Sequence, residues 1–246
     1  MTIRPRTAML LAAGLGQRMR PLTDRTAKTL LPLGGKALID HALNRLVEAG
    51  VETVVVNAFW QAERIEAHLA ARAASGCSPR TILRREEALL DTGGSVSAAL
   101  DLLGGDPFYV VNGDSFWVNG TRPALSRLAE AFDHTVDGAL LVDRTFQVRA
   151  DVGFGDFVVD KWGGLRRRRD REVVPYVYAG VQLIAPSLLA GMGGGAFSMN
   201  RAWDRAMAEG RLRAVVHDGL WFHLSTPEDL VEAEQVLQAR LTGDTR

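Results

Sequence analysis

The sequence predicts an α/β fold: a mostly parallel sheet between layers of helices, with a smaller lobe of antiparallel character towards the C-terminus. Three observations predict it. Short apolar runs alternate with amphipathic segments over about the first 145 residues, the pattern of βα units. The first of these runs, and a later one at 107–111, pass straight into glycine-bearing turns. From about residue 150 the texture changes to short runs joined by tight turns.

Residues 7–12 form the first predicted strand. Arg4 and Arg6 before the apolar stretch 8–14 give it the outward form of a secretory signal. The stretch is short, however, and Arg18, Met19 and Arg20 follow at once, so a buried strand entering a glycine loop is the better reading. Leu38, Ile39, Ala42, Leu43, Leu46 and Val47 recur at helical spacing, and Gly50 closes that helix. A strand at 51–57, a helix at 60–72, a short strand at 80–83 and a helix at 96–103 follow. The strand at 107–111 leads into Asn112-Gly113-Asp114, then a helix at 123–132 and a strand at 139–142. Residues 155–159 and 165–168, joined by Lys161-Trp162-Gly163-Gly164, read as a hairpin. A strand at 176–185 and a helix at 199–209 come next. Thr226-Pro227-Glu228-Asp229 starts a last helix with a hydroxyl cap, proline at the first position and acids in the first turn. With no repeat or linker, residues 1–246 are read as one domain of two lobes, about 1–145 and about 146–246.

Composition narrows the function classes. An apolar fraction of 47% and a charged fraction of 24% are ordinary for a soluble domain. Twenty-nine bases balance 29 acids, which argues against nucleic-acid or anionic-membrane partners. No apolar run approaches the ~20 residues that span a bilayer. Cys77 is alone, so no internal disulfide forms, in keeping with a reducing, cytoplasmic setting. Of the 29 bases only Lys28, Lys36 and Lys161 are lysine. Codon bias explains the excess of arginine, but not why two lysines fall within nine residues of each other, where a compact ammonium is indicated.

The densest constellation runs from Leu11 through Ala12, Ala13, Gly14, Gly16, Arg18, Met19, Pro21 and Thr23, with Lys28 and Pro32 beyond it. Glycines after a buried strand let backbone N–H groups converge on an anion, and Arg18 and Lys28 add charge. A dinucleotide fingerprint would need glycine where Met19 stands, and a P-loop would need Ser or Thr where Ala37 follows Lys36. Asn112-Gly113-Asp114 lies at the carboxyl end of a predicted parallel strand, where open α/β sheets bind ligands. There Asp114 is either a turn cap or a hard oxygen ligand suited to Mg²⁺. Asp91-Thr92-Gly93-Gly94 is either a plain helix-capping turn or a platform on which a planar base can lie.

The run from Leu11 to Thr23 resembles the signature of the sugar-1-phosphate nucleotidyltransferases, L-A-A-G-x-G-x-R-M-x-P-L-T followed by P-K-x-L-x-P. It fits the first part at every defined position. In the second part Ala27 replaces proline, while Lys28, Leu30 and Pro32 are kept. The resemblance covers nearly the whole chain and implies a Rossmann-like three-layer αβα core. It further implies transfer of a nucleoside monophosphate from a nucleoside triphosphate to a sugar 1-phosphate, with Mg²⁺ as cofactor. Lys28 and Arg18 are then catalytic, and Ala12, Ala13, Gly14, Gly16, Arg18, Thr92 and Gly93 bind the nucleotide. Glu86 lies just upstream, where relatives recognise the edge of the base; a carboxylate there accepts the N3–H of uracil or the N1–H and N2–H of guanine. Asn112, Gly155 and Gly180 fall where relatives hold the sugar phosphate, although strand glycines equally mark bulges. Asp114 matches the family's metal ligand.

Two departures stand out. Relatives often place an aspartate two residues after a tryptophan as a second metal ligand, whereas here Trp221 is followed by Phe222 and His223. His223 is thus a metal ligand, an outer donor or a sugar-phosphate contact, since Mg²⁺ prefers oxygen. The Glu-Lys-Pro motif of glucose-activating relatives is missing; residues 166–172 carry an arginine run, read as a solvated strand face, with an anionic acceptor sugar as the sharper alternative. His41, His68, His134 and His217 are read as structural or exposed. The short chain and its T-G-G stretch are similar to family members that join UTP to N-acetylmuramate 1-phosphate. Mannose 1-phosphate with GTP, and heptose phosphates, are the alternatives, and a non-catalytic nucleotide-sugar sensor is the reading from another class. The oligomeric expectation is a monomer or small homo-oligomer.

Overall fold

The computed structural model describes residues 3–77, 79–148 and 150–242. The first half lays down β1 (Thr7–Leu11), the short β2 (Pro32–Leu33) and β3 (Lys36–Ala37), β4 (Thr53–Ala58), β5 (Arg80–Arg85), β6 (Phe108–Asn112), β7 (Phe116–Val118) and β8 (Gly138–Arg144). Its helices are α1 (Leu38–Glu48), α2 (Ala62–Ala74), α3 (Asp91–Ala98), α4 (Leu100–Leu103) and α5 (Ala124–Glu130). The second half adds β9 (Phe157–Val159), β10 (Leu165–Arg167), β11 (Tyr176–Ile184), β12 (Leu212–Val216) and β13 (Leu220–Phe222), with α6 (Asn200–Ala208) and α7 (Pro227–Thr242).

β5, β4, β1 and β6 lie side by side in that order and run parallel. β1 and β4 read as unbroken apolar runs because both faces of this sheet are covered. Ala8, Leu10, Val54, Val56, Tyr109 and Val111 face one core with α1, α2 and α5. Met9, Val55, Phe108 and Val110 face the other with α3, α4 and α6. This period-two division produces the three layers. β11 pairs antiparallel with β6 and with β8, and β12 joins β8 in parallel, so strands from both halves share one sheet. The predicted hairpin is β9 with β10.

Several elements depart from the sequence expectation. α3 starts at Asp91, five residues before the helix predicted at 96, because Gly93 and Gly94 are held by tertiary contact despite their poor helix propensity. β12 escaped notice, since Arg213 breaks its apolar run. The ribbon of β7 with β13 escaped notice because its strands are three residues long. The last helix begins where expected: Thr226 Oγ1 accepts the Asp229 N–H, while Asp229 Oδ2 accepts the Ser225 and Thr226 N–H groups, a reciprocal cap. α7 crosses back beneath the start of the chain. Leu224, Leu230, Ala233 and Leu237 pack with Met19, Leu31, Leu33 and Leu38. Among the described residues no helix is long and apolar enough to cross a membrane.

Candidate active site

Register brings the site together. Leu11 lies level with Asn57 on β4 and Asn112 on β6, so three parallel strands end at one edge. A cavity of about 760 Å³ opens there, at the carboxyl ends of the strands. Its walls include Ala12, Ala13, Gly14, Gly16, Arg18 and Lys28 from the segment after β1, Glu86 and Thr92 from the segment after β5, and Asn112 and Asp114 from the end of β6.

The first loop is shaped as an anion cradle. The Ala12 N–H donates to Asn57 Oδ1 at 2.7 Å, anchoring the loop's root. None of the N–H groups of residues 13–18 donates to a protein acceptor among the described residues. Gly16 has φ +62°, and a side chain there would press on Thr23 and on Lys28 Cβ at 3.0–3.1 Å. The Thr23 hydroxyl donates to the Gly16 carbonyl at 2.8 Å, fixing the turn. Arg18 is exposed at the rim, with no carboxylate partner among the described residues. A set of free amides beside an uncommitted guanidinium receives phosphate oxygens without rearrangement.

Lys28 Nζ donates to Asp114 Oδ2 at 2.6 Å, across 86 positions of chain. The lysine is mostly buried, the aspartate less so. Gly113 makes this approach possible: its N–H donates to the Leu11 carbonyl at 2.8 Å, and a side chain there would strike Thr29 Cγ2 at 2.7 Å. The Thr29 hydroxyl, on the cavity wall, is buried without a protein partner among the described residues.

At the other end of the cavity, Asn57 links the loop to Glu86. Its Nδ2 donates to Glu86 Oε1 at 2.8 Å, while Glu86 Oε2 is buried and unpartnered. Asn57 was missed in the sequence because it looked like the last residue of an ordinary buried strand. Its signal was a buried amide at a parallel strand's carboxyl end.

The structure separates the remaining candidates. Asn112 and Thr92 line the main cavity and a smaller one that opens beside it. Gly93 lines neither: a side chain there would run into the Phe197 ring, and Gly94 approaches the Gly195 carbonyl as closely. Thr92 Oγ1 accepts the Met199 N–H at 2.9 Å, so the T-G-G stretch fastens α3 to the second lobe. Gly155 and Gly180, expected at the sugar phosphate, also line neither cavity. Both have positive φ, +76° and +74°. Gly155 lies against the Val174 carbonyl, and Gly180 occupies the irregularity of β11 against β8, where a side chain would collide with Ser115 Oγ.

His223 stands behind the wall that Ser225 forms, its Nε2 hydrogen-bonded with Ser225 Oγ at 2.7 Å. Burial, followed by the nearby Lys28 and Arg18 charges, lowers its pKa below the ordinary imidazole value and keeps the ring neutral. Among the described residues no three His, Cys, Asp or Glu side chains cluster to hold a metal. Asp114 alone fits Mg²⁺ arriving with a triphosphate, because that ion keeps waters and phosphate oxygens and needs one or two carboxylates. Lys28 holds only Oδ2 of Asp114.

Fold and cavity together define an α/β enzyme that handles phosphorylated nucleotides. The chain belongs to the nucleotidyl transferase family, whose profile matches residues 7–161. It is 42% identical to the N-acetylmuramate alpha-1-phosphate uridylyltransferase of Caulobacter vibrioides, over 95% of this chain and 98% of that one. The enzyme of the same description from Neisseria meningitidis serogroup B is 34% identical, over 94% and 98%. Among solved structures, a UDP-glucose pyrophosphorylase complexed with UDP-glucose superposes with a TM-score of 0.78 at 16% identity, covering 96% of this chain and 99% of that one.

Proposed function

We propose that the protein transfers UMP from UTP to N-acetylmuramate 1-phosphate, releasing pyrophosphate. The carrying observation is the meeting of the Lys28 ammonium and the Asp114 carboxylate beside a loop of unpaired amides. The two uridylyltransferase relatives supply the choice of substrates. The reaction brings two polyanions together, so positioning and charge neutralisation suffice and no covalent nucleophile is needed.

The amides of residues 13–18 and the Arg18 guanidinium hold the β- and γ-phosphates of the departing pyrophosphate. Lys28 bridges the α-phosphate and the incoming sugar phosphate, steadying the oxygen that attacks phosphorus in line. Asp114 would hold Mg²⁺, which when bound would neutralise charge on the α-phosphate. Glu86 Oε2 accepts the uracil N3–H, oriented by Asn57. Asn112, between the two cavities, faces the sugar phosphate. UTP as donor places the reaction in the cytoplasm, in the recycling of cell-wall sugars.

A screen of the four nucleoside triphosphates against a panel of sugar 1-phosphates, with and without Mg²⁺, tests this by pyrophosphate release. The expected pair is UTP with N-acetylmuramate 1-phosphate, dependent on Mg²⁺. Lys28→Ala lowers that turnover by about 10²–10³-fold, the usual loss for one charge-stabilising donor, with the melting temperature maintained. Tight UTP binding with no turnover on any pair marks a sensor and refutes the proposal.

A further inference from the structure

The smaller cavity, about 280 Å³, shares Leu11, Asp91, Thr92 and Asn112 with the main one. Its opposite wall carries Arg167, Tyr178, Gln182 and Trp203. We propose that Arg167, with the Tyr178 hydroxyl, reads the lactyl carboxylate of N-acetylmuramate 1-phosphate and so selects an anionic acceptor sugar. This rests on the function proposed above.

The arginine run does not behave as one solvated face. Strand alternation on β10 turns Arg166 outward, where it forms a two-pronged pair with Glu172 at 2.8–2.9 Å. Arg168 lies over the exposed Phe154 ring. Arg167 alone of the run reaches the cavity. Its Nε donates to Asp204 Oδ1 at 2.7 Å and its Nη2 to Asn200 Oδ1 at 2.8 Å. Its guanidinium carbon sits 5.0 Å from the Phe157 ring centre and 5.8 Å from that of Trp203. The fork is thus fixed in place, while Nη1 has no protein acceptor among the described residues. A planar guanidinium with a free edge suits a carboxylate better than a hydroxyl.

A second donor on the same wall also lacks an acceptor. Among the described residues the Tyr178 hydroxyl is buried with no hydrogen bond of ordinary geometry, Gln182 being its polar neighbour. Burial raises its pKa, so it stays a donor. Gln182 Oε1 is already taken by Trp203 Nε1 at 2.9 Å. A buried hydroxyl short of a well-placed acceptor costs about 1–3 kcal/mol, and a ligand carboxylate in this cavity would supply one. The acids nearby do not cancel this preference. Asp204 is more than half exposed, so solvent screens its pull on Arg167. Asp156 Oδ2 accepts the Tyr178 N–H and Asp91 Oδ1 the Thr92 N–H, leaving acceptors suited to sugar hydroxyls. The lactyl group stands two ring carbons from the anomeric phosphate, and the two cavities join at Asn112, which faces that phosphate.

The test compares kcat/KM, with saturating UTP, for N-acetylmuramate 1-phosphate and for N-acetylglucosamine 1-phosphate, which differs by the lactyl group. Wild type, Arg167→Gln, Arg167→Lys and Tyr178→Phe are measured, with circular dichroism and the KM for UTP as controls of folding. The expected result is a preference for the lactyl sugar that falls about 10- to 100-fold in Arg167→Gln, less in Arg167→Lys, and several-fold in Tyr178→Phe, chiefly through KM. If wild type prefers the lactyl sugar and both Arg167 variants keep that preference, the Arg167 assignment is overturned while the proposed function stands. If wild type turns over only the neutral sugar, the proposed function falls and the assignment with it. Should Arg167→Gln not fold, the lysine and phenylalanine variants decide.

Discussion

Asn57 and Glu86 show how a single side chain fixes the chemistry of its neighbour. The Ala12 N–H occupies Asn57 Oδ1, so the amide cannot flip, and its NH₂ must point at Glu86. Glu86, on the cavity wall, is therefore left with one defined oxygen that is buried and unpartnered among the described residues. In Glu86→Gln the carboxamide has to satisfy Asn57 with its oxygen, which leaves its NH₂ facing the base. Uracil N3–H then meets a donor, whereas the N3 of cytosine meets a partner. The KM for UTP is expected to rise about tenfold and the preference over CTP to narrow. Equal UTP constants for variant and wild type would show that this oxygen does not touch the base. At this scale type and spacing single out Arg18, Lys28 and Asp114, which the structure brings to one cavity. They do not single out Asn57, nor Arg167 within its arginine run, because the placing of both depends on which way a strand faces.

At the scale of elements, glycine is the residue whose role the sequence resolves least. Gly180 was expected at the sugar phosphate, and its sequence context does not distinguish that from a bulge. The structure shows a positive φ and the Ser115 hydroxyl where a side chain would go. Gly180→Ala is expected to cost about 2–5 kcal/mol in urea unfolding, from backbone strain and overpacking together. Ser115→Ala in the same chain recovers only part, because Ser115 Cβ is itself 3.1 Å from that position. Full additivity of the two changes would refute the contact. Long periodic segments such as α1 and α2 were legible in the sequence because their apolar faces repeat. The starts of α3 and β12 were not, because packing there overrides local propensity.

For the whole molecule, three imidazoles set the response to acid. Burial lowers the pKa of His41, His217 and His223 from the ordinary 6.5. The unfolded chain thus binds more protons than the native one just below that value, and stability falls as pH falls through this window. Asp143, raised by burial, acts in the opposite sense nearer the carboxylate range. Urea midpoints are expected to drop between pH 7.5 and 5.5, with a shallower slope in His217→Gln. A flat profile would contradict the burial of these rings. The parallel half of the fold was readable from its βα alternation. What joins the halves was not, since β11 enters between β6 and β8 by pairing across long sequence separations.

The apolar floor behind the first loop is laid by α7. Glu234 accepts the Gly34 N–H at 2.6 Å, and Leu237 lies beside Gly34. A nascent polypeptide leaving the ribosome therefore carries the segment from Leu31 to Leu38 without its apolar partners until α7 emerges. Clipping that helix would loosen a site whose signature lies some two hundred residues upstream.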